Sequence, residues 1–430
     1  MKYVKIEQIF AFGFRHEGLI FSRGDWMSAI RFFHMADLHL DSPFKGLFGL
    51  PDNNLKKIRA STFEAFDKII HKAIEERPDF LLIVGDIYDG ENRSLQAQRR
   101  FQAAMETLFE HNIPVIVSYG NHDHLHGSWT RFALPSNVYE LPADTSVVQL
   151  KIRGQQVNIY GFSYGQRHVK EAMIDRYPVA QDQHAIHIGM LHGSEASDTT
   201  HAVYAPFKKE QLLEKRYHYW ALGHIHKRQL LHKEPPIVYS GNIQSRHRNE
   251  QGLKGFYDVT LSQTSAQLTF VPTSAVVYNI VEVDCTNVQH ANELMQKCEE
   301  AIATNRMEYG ASVMELHLKN IDEETEALFE HASVEEWLET IRESEDGVEP
   351  MGWVQKLILH KKSASYESTA MTESVISVME QWDISEWKDI LKDLYQHAGG
   401  ARFVEPLTER EIEHLKLDAQ ELLVDEIQRA

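Results

Sequence analysis

HMADLHLDSPF, residues 34–44, closes an apolar run, AIRFFHMA (29–36), with Asp37, His39 and Asp41 at alternating positions. The run has the composition of a buried strand. Side chains two apart on a strand share a face, so Asp37 and His39 are expected to project together from its carboxyl end. In open α/β sheets that end is where ligands bind. A turn with an Asp cap would give the same stretch, because D-x-H is common, so the neighbouring segments have to decide. Asp41 fits a turn residue slightly better than a second layer behind a bound group.

The segments that follow repeat the theme. A helical pattern over 54–76 leads to PDFLLIVGD (78–86), a strand ending on Asp86. A second helix, 95–112, leads to IPVIVSYGNHD (113–123), another strand ending on polar groups. This β–α–β–α–β order predicts a layered sheet with crossover helices. Shorter strands are expected at 147–152, 157–162, 186–192, 217–224, 237–240, 255–261 and 266–271. Their two-residue alternation predicts a second, more antiparallel sheet packed face to face on the first. VPTSAVVYNIVEVD (271–284) opens a new unit with a strand, a helix to about residue 305 and a strand near 312–318. Helical spacing dominates after Glu323, most clearly at 366–379, 385–397 and 408–428.

Composition limits what the chain does. Its 430 residues suit two or more domains. No apolar run approaches the roughly 18 residues of a membrane span, and MKYVKIEQIFAFGF lacks a nearby cleavage site, so no signal peptide is expected. Met27 is a plausible second start, with 1–26 as an N-terminal extension. Two cysteines, Cys285 and Cys298, make a disulfide framework implausible and fit a reducing cytoplasm. With 44 Lys and Arg against 63 Asp and Glu, the net charge of −19 argues against a protein coated for nucleic acid. The charge is uneven, however. Residues 322–349 hold twelve acidic side chains and one basic, Arg342, whereas 206–255 hold ten basic against four acidic.

Five strand ends or adjoining loops carry metal-type ligands: Asp37 and His39 in ADLH, Asp86 and Asp89 in GDIYD, Asn121, His122 and Asp123 in GNHD, His192 in LHGS, and His224 and His226 in LGHIH. Each motif alone is weak, but five in succession at the ends of apolar runs form a pattern. Imidazole, carboxylate and amide oxygen without thiolate suit Mn²⁺, Fe or Zn²⁺. Two such ions can share a carboxylate, clamp a phosphate oxygen and lower the pKa of a coordinated water.

The series D-x-H, GD-x-x-D, GNHD, H and GH-x-H resembles the calcineurin-like metallophosphoesterase superfamily over about residues 31–272. Within it, ADLHLDSPF, VGDIYD, YGNHD, LHG and LGHIH, followed by YSGN (239–242), resemble the SbcD-type DNA repair nucleases. That resemblance implies an α/β fold: a four-layered sandwich of two mixed sheets flanked by helices, a smaller α+β capping domain and a helical C-terminal region. The expected boundaries are 27–274, 275–320 and 321–430. It implies two Mn²⁺ ions, the first on Asp37, His39 and His226, the second on Asn121, His192 and His224, with Asp86 bridging. His122 is then the catalytic histidine, and Asp89, three residues after Asp86, is placed to orient it.

The metal set alone does not name the substrate. The resemblance implies a DNA exonuclease, acting from a 3′ end and endonucleolytically on single strands, with a homodimer and an SbcC-like coiled-coil ATPase as partners and no membrane. Arg246, His247 and Arg248 follow the ligands closely and are candidate contacts to DNA phosphates. Two alternatives stand: a small-molecule or cyclic-nucleotide phosphodiesterase, and a non-catalytic partner of an ATPase. Trp387, Ile390, Leu391 and Leu394 form an apolar stripe that would dock on such an ATPase or bury against its own domain.

Overall fold

The computed structural model describes residues 29–44, 49–90, 93–127, 130–196, 204–362 and 370–392, with single positions between 407 and 423. The extension at 1–26, most of the helix expected at 408–428, and Leu394 lie outside the described residues. The chain divides into two compact units, 1–361 and 362–430.

In chain order the first unit runs β1 (Ile30–Ala36), α1 (Asp52–Glu76), β2 (Phe80–Val84), α2 (Leu95–Glu110), β3 (Val115–Ser118), β4 (Val138–Glu140), β5 (Ser146–Ile152), β6 (Gln155–Gly161) and β7 (Ile186–His192). It continues with α3 (Lys209–Glu214), β8 (Tyr219–Gly223), β9 (Gln229–Lys233), β10 (Pro236–Tyr239), β11 (Gly255–Leu261) and β12 (Ala266–Pro272). The first sheet has the order β12-β11-β1-β2-β3-β4, and the second β5-β6-β7-β8-β10-β9. Both are mixed. β1 to β4 are parallel, and β11 and β12 add antiparallel strands at one edge. The second sheet is less antiparallel than its alternation suggested, since β6, β7, β8 and β10 are parallel and only β5 and β9 reverse. The reason is burial: β7 and β8 are covered along their whole length, as parallel strands are.

Alternation along β1 builds the layers. Phe33 and Met35 point one way, to a core with Phe63 and Phe66 of α1 and Phe101 and Met105 of α2. Phe32 and Ala36 point the other way, into the space between the sheets. There Phe32 stacks on Phe80 at 5.0 Å and meets Tyr219 edge-on at 5.2 Å. Each large apolar side chain buried in this way contributes roughly 1.5–3 kcal/mol. On the far face of the second sheet, Leu191, Trp220 and Leu222 pack under Leu212 of α3 and a short 3₁₀ turn at Met173–Arg176. The result is the expected four-layered sandwich. Its parallel strands end together, and that places the ligands.

A third sheet corrects the expected domain boundary. β13 (Val277–Asp284), α4 (Ala291–Tyr309), β14 (Ser312–Ile321), α5 (Glu323–His331), α6 (Val334–Ser344) and β15 (Gly352–Lys361) form an all-parallel sheet, β13-β14-β15, with its helices packed on one core. The boundary expected at 320 therefore cuts through β14, and 321–361 is not mostly helical. The acidic block 322–349 supplies the crossover helices, capped by Asp322 and Ser333. Its one arginine, Arg342, donates to the Val354 and Gln355 carbonyls and lies over the Trp353 ring at 4.4 Å, clamping β15. Phe44 and Ile58 of the sandwich pack against Val276, Tyr278, Val313, Met351 and Trp353, which joins this sheet to the first two.

In the second unit, α7 (Ala370–Gln381) and α8 (Ile384–Ile390) are described. Met379 and Trp387 are buried there with Ile412, and Trp382 meets Trp387 at 5.5 Å. Trp387 of the apolar stripe is thus covered by its own segment, while Ile390 is 55% exposed. Among the described residues, no helix is long and apolar enough to cross a membrane.

Candidate metal centre

The residues expected as ligands sit just past the ends of β1, β2, β3 and β8, and on the last residue of β7. Strand alternation does not bring Asp37 and His39 together, as the spacing suggested. β1 stops at Ala36, and both residues adopt left-handed backbone, with φ of 52° and 42°. Asp86 (φ 49°) and His224 (φ 97°) do the same. Such conformations are costly for side-chain-bearing residues and gather at functional sites. Here they are held by interlocked loops. Asp37, His39 and Leu40 donate to the carbonyls of Gly85, Asp86 and Ile87 at 3.2, 3.0 and 2.9 Å. The His224 amide donates to both Asp37 oxygens at 3.0 and 3.1 Å, and the His122 amide donates to Asp86 Oδ1 at 2.9 Å.

Asp123, the last residue of GNHD, has a structural task. Its carboxylate accepts from the amides of Gly120 and Ile87, both at 2.7 Å, tying two ligand loops together. Burial and the Asp86 charge push its carboxyl up to about 6. Gly120 is required by close approach, since a Cβ there would lie 2.2 Å from Asp86 Oδ1 and 2.7 Å from His192 Nε2. Gly85 is doubly required: φ is +77° and a Cβ would meet the His192 ring at 2.2 Å.

The side chains converge in three overlapping groups: Asp37, His39 and His226; Asp37, Asp86 and His192; and His39, Asp89 and His122. His192 donates from Nδ1 to the Val84 carbonyl at 3.1 Å. Its Nε2 then faces Asn121 Oδ1 at 3.1 Å and Asp86 Oδ2 at 3.4 Å. His224 lies beside it, with ring centroids 5.3 Å apart. On the other side, His39 Nε2 and His226 Nε2 are 3.1 Å apart, and His39 Nε2 is 3.9 Å from Asp86 Oδ2. His39 Nδ1 is buried and makes no hydrogen bond.

These residues fit divalent ions. Carboxylate oxygens, an amide oxygen and imidazole nitrogens point their lone pairs at common points, where something positive must stand. A proton serves when no cation is present. Burial opposes charge on His192, yet Asp86 and Asp37 push its pKa up to about 9. Burial also opposes charge on Asp86, but His192, His122 and His39 hold its carboxyl well below the usual range. Burial raises Asp37 and lowers His39, the latter with help from Arg246. Ligands must lose such protons to bind metal. Asp86 Oδ2 lies 3.4 Å from His192 Nε2 and 3.9 Å from His39 Nε2, and Asp37 is shared by the groups with His226 and with His192.

His122 sits at the rim, 31% exposed, with Nδ1 3.5 Å from Asp89 Oδ1. Asp89 also accepts from Ser42 Oγ at 2.8 Å, lies 3.8 Å from His39 Nδ1 and pairs with Arg246 at 3.5 Å. Asp41 has φ 64°, and its amide lies 3.3 Å from Thr62 Oγ1, as a turn residue would. The three basic-loop residues differ in placement. Arg246 is drawn in beside Asp89 with 14% of its side chain exposed, His247 is 3.4 Å from Glu250, and Arg248 pairs with Glu315 of β14 at 3.5 Å. Sequence reasoning missed Glu250. It is buried, 2.6 Å from His226 Nδ1, and it carries no motif. Burial would raise its carboxyl, but the hydrogen bond and charge of His226, with Arg246, hold it well below the usual range.

A two-sheet sandwich with this cluster at its strand ends is the frame of a metal-dependent hydrolase. The model of the calcineurin-like phosphoesterase family matches residues 30–228. The chain is 34% identical over 403 residues, 92% of its length and 98% of the relative's, to the uncharacterized metallophosphoesterase YhaO of Bacillus subtilis (strain 168). It is 27% identical over 281 residues, 62% of this chain and 73% of the relative, to the DNA double-strand break repair protein Mre11 of Methanocaldococcus jannaschii. A protein of the same name from Thermoplasma acidophilum is 26% identical over 270 residues, covering 60% of this chain and 69% of the relative. The chain belongs to the calcineurin-like phosphoesterase family, and it is a phosphoester hydrolase.

Proposed function

We propose that the chain is a Mn²⁺-dependent DNA nuclease of SbcD type acting in DNA repair. Its similarity over 281 residues to a protein named for repairing DNA double-strand breaks carries this reading. In this account Asp37, His39 and His226 would hold one divalent ion and Asn121, His192 and His224 the other, with Asp86 near both sets, 3.4 Å from His192 Nε2 and 3.9 Å from His39 Nε2. Ions so held supply Lewis acidity and nucleophilic water for in-line displacement. The protein's own residues do the rest. Asp86 fixes the His122 backbone through the 2.9 Å bond to its amide. With Nδ1 turned to Asp89, the His122 ring presents Nε2 to the substrate and gives a proton to the leaving oxygen. Arg246, beside Asp89 at the rim, meets a scissile phosphate. Release of nucleotides from a 3′ end, endonucleolytic action on single strands, a cytoplasmic location, a homodimer and docking on an SbcC-like ATPase complete the proposal.

A small-molecule or cyclic-nucleotide phosphodiesterase is the competing reading. It is favoured by the pairing of Arg246 and Arg248 with Asp89 and Glu315 and by the net charge of −19. A substrate panel separates the two. End-labelled single- and double-stranded DNA, bis-p-nitrophenyl phosphate and a cyclic nucleotide are each offered with Mn²⁺, Mg²⁺ or EDTA. Progressive shortening of DNA in Mn²⁺ supports the nuclease and gives its polarity. Turnover confined to the small esters replaces it with the alternative.

A further inference from the structure

The orientation of His226, a proposed ligand, is set from outside the strand-end loops. Its Nδ1 lies 2.6 Å from Glu250 Oε1. The other carboxylate oxygen, Oε2, accepts from Asn242 Nδ2 at 2.8 Å and from the Arg246 amide at 2.7 Å. Asn242 cannot turn its amide over, because Nδ2 also donates to the Gln244 carbonyl at 2.9 Å. The Arg246 amide is backbone and can only donate. Both groups therefore demand an acceptor at the Oε2 position, and this demand locks the carboxylate in place. It also gives a task to Asn242, the last residue of YSGN.

We propose that Glu250 is a positioning residue that accepts the Nδ1 proton of His226, so that the lone pair of Nε2 is presented to a divalent cation. A contact of 2.6 Å between imidazole nitrogen and carboxylate oxygen needs a proton between them, and an ionised carboxylate leaves it on the nitrogen. Arg246 Nη2 also approaches Nδ1, at 3.2 Å, but a guanidinium has nothing to accept with, and the shorter contact decides. With Nδ1 protonated, Nε2 is free of hydrogen, and Nε2 is the atom 3.1 Å from His39 Nε2 in the ligand cluster. Carboxylates behind metal-binding histidines commonly act in this way, and their loss typically costs about 10–100-fold in metal affinity. The inference rests on the hydrolase's metal centre and not on DNA as its substrate.

Glu250→Gln isolates this role. The amide oxygen must occupy the Oε2 position, facing the Asn242 and Arg246 donors. The NH₂ group is then left against His226 Nδ1, where it donates. Packing and the loop hydrogen bonds survive, but the proton on His226 is driven to Nε2, the wrong nitrogen. The test is a titration of the metal-free full chain with MnCl₂ by calorimetry, for wild type, Glu250→Gln and Glu250→Ala, with melting temperatures measured alongside. Glu250→Gln is expected to melt close to wild type and to bind one of two Mn²⁺ ions about 10–100-fold more weakly. Glu250→Ala should be weaker in the same event and also less stable. Wild-type affinity for both ions in Glu250→Gln overturns the proposal. A second readout needs no stable Glu250 variant: the ¹⁵N spectrum of histidine-labelled, metal-free wild type. The signals lost in His226→Gln should be those of an imidazole that carries a proton on Nδ1, and a ring protonated at Nε2 with Nδ1 bare overturns the proposal. A failure of nuclease assays touches neither measurement.

Discussion

His122 keeps 31% of its side chain exposed, while His39 and His192 keep none. His226, a proposed ligand, keeps 25%, so exposure alone does not set His122 apart; what assigns it to substrate in the proposal is its place at the rim beside Asp89. His122→Ala should therefore retain two bound Mn²⁺ ions and lose about 10²–10⁴-fold in turnover. Metal analysis of the purified variant beside its rate checks this, and loss of the ions would reassign His122 as a ligand. The residues that converge at the strand ends were legible in the sequence because each lies in a short motif at the end of an apolar run. Asp123 was visible but not its task, since its carboxylate serves two backbone amides that only the fold brings within 2.7 Å. Glu250 was not legible. It reaches His226 across 24 residues of chain and two strands, with no local spacing to betray it.

The strand ends do more than display side chains. Left-handed backbone at Asp37, His39 and Asp86 turns the chain sharply, and glycines leave room for the imidazoles packed against those turns. Gly120→Ala should fold but bind Mn²⁺ at least about tenfold more weakly, because its Cβ displaces Asp86 and His192. Gly154→Ala is the control. Its φ is +85° with open space around it, so it should cost about 1–2 kcal/mol in stability and leave ion binding unchanged. Equal ion affinities in the two variants would contradict this account. β1 also carries His34, fully buried, with Nδ1 2.9 Å from Tyr219 Oη and Nε2 3.3 Å from the Leu222 carbonyl. Burial lowers its pKa from 6.5 to about 3. The unfolded chain then takes up a proton that the native state refuses. Stability should be whole above pH 6.5 and fall as the pH drops toward 3, by several kcal/mol in all. Denaturant titrations between these limits should show a shallower fall in His34→Gln, and identical slopes would sink the idea. The existence of β1 to β3 was plain from their apolar runs. The turn geometry beyond them was not, because nothing in D-x-H distinguishes a continuing strand from two left-handed residues.

The sandwich was legible because its strands alternate with long amphipathic helices. The third sheet was legible only as far as β14. β15 follows 28 residues holding twelve acids, and that charge, with the helical spacing of α5 and α6, concealed a ten-residue strand. Compactness now places the break after Lys361. A chain ending there should fold, bind Mn²⁺ and hydrolyse bis-p-nitrophenyl phosphate at a rate near that of the full chain. An inactive or unfolded truncation would show that 362–430 completes the first unit. The central claim, that this one cluster hydrolyses DNA, is tested most directly by incubating wild type and Asp86→Ala with end-labelled DNA in Mn²⁺ while counting bound ions in the same samples. Asp86 Oδ2 lies 3.4 Å from His192 Nε2 and 3.9 Å from His39 Nε2, so two ions and shortened DNA are expected for wild type, and fewer ions with intact DNA for Asp86→Ala. Cleavage by Asp86→Ala at the wild-type rate would contradict it.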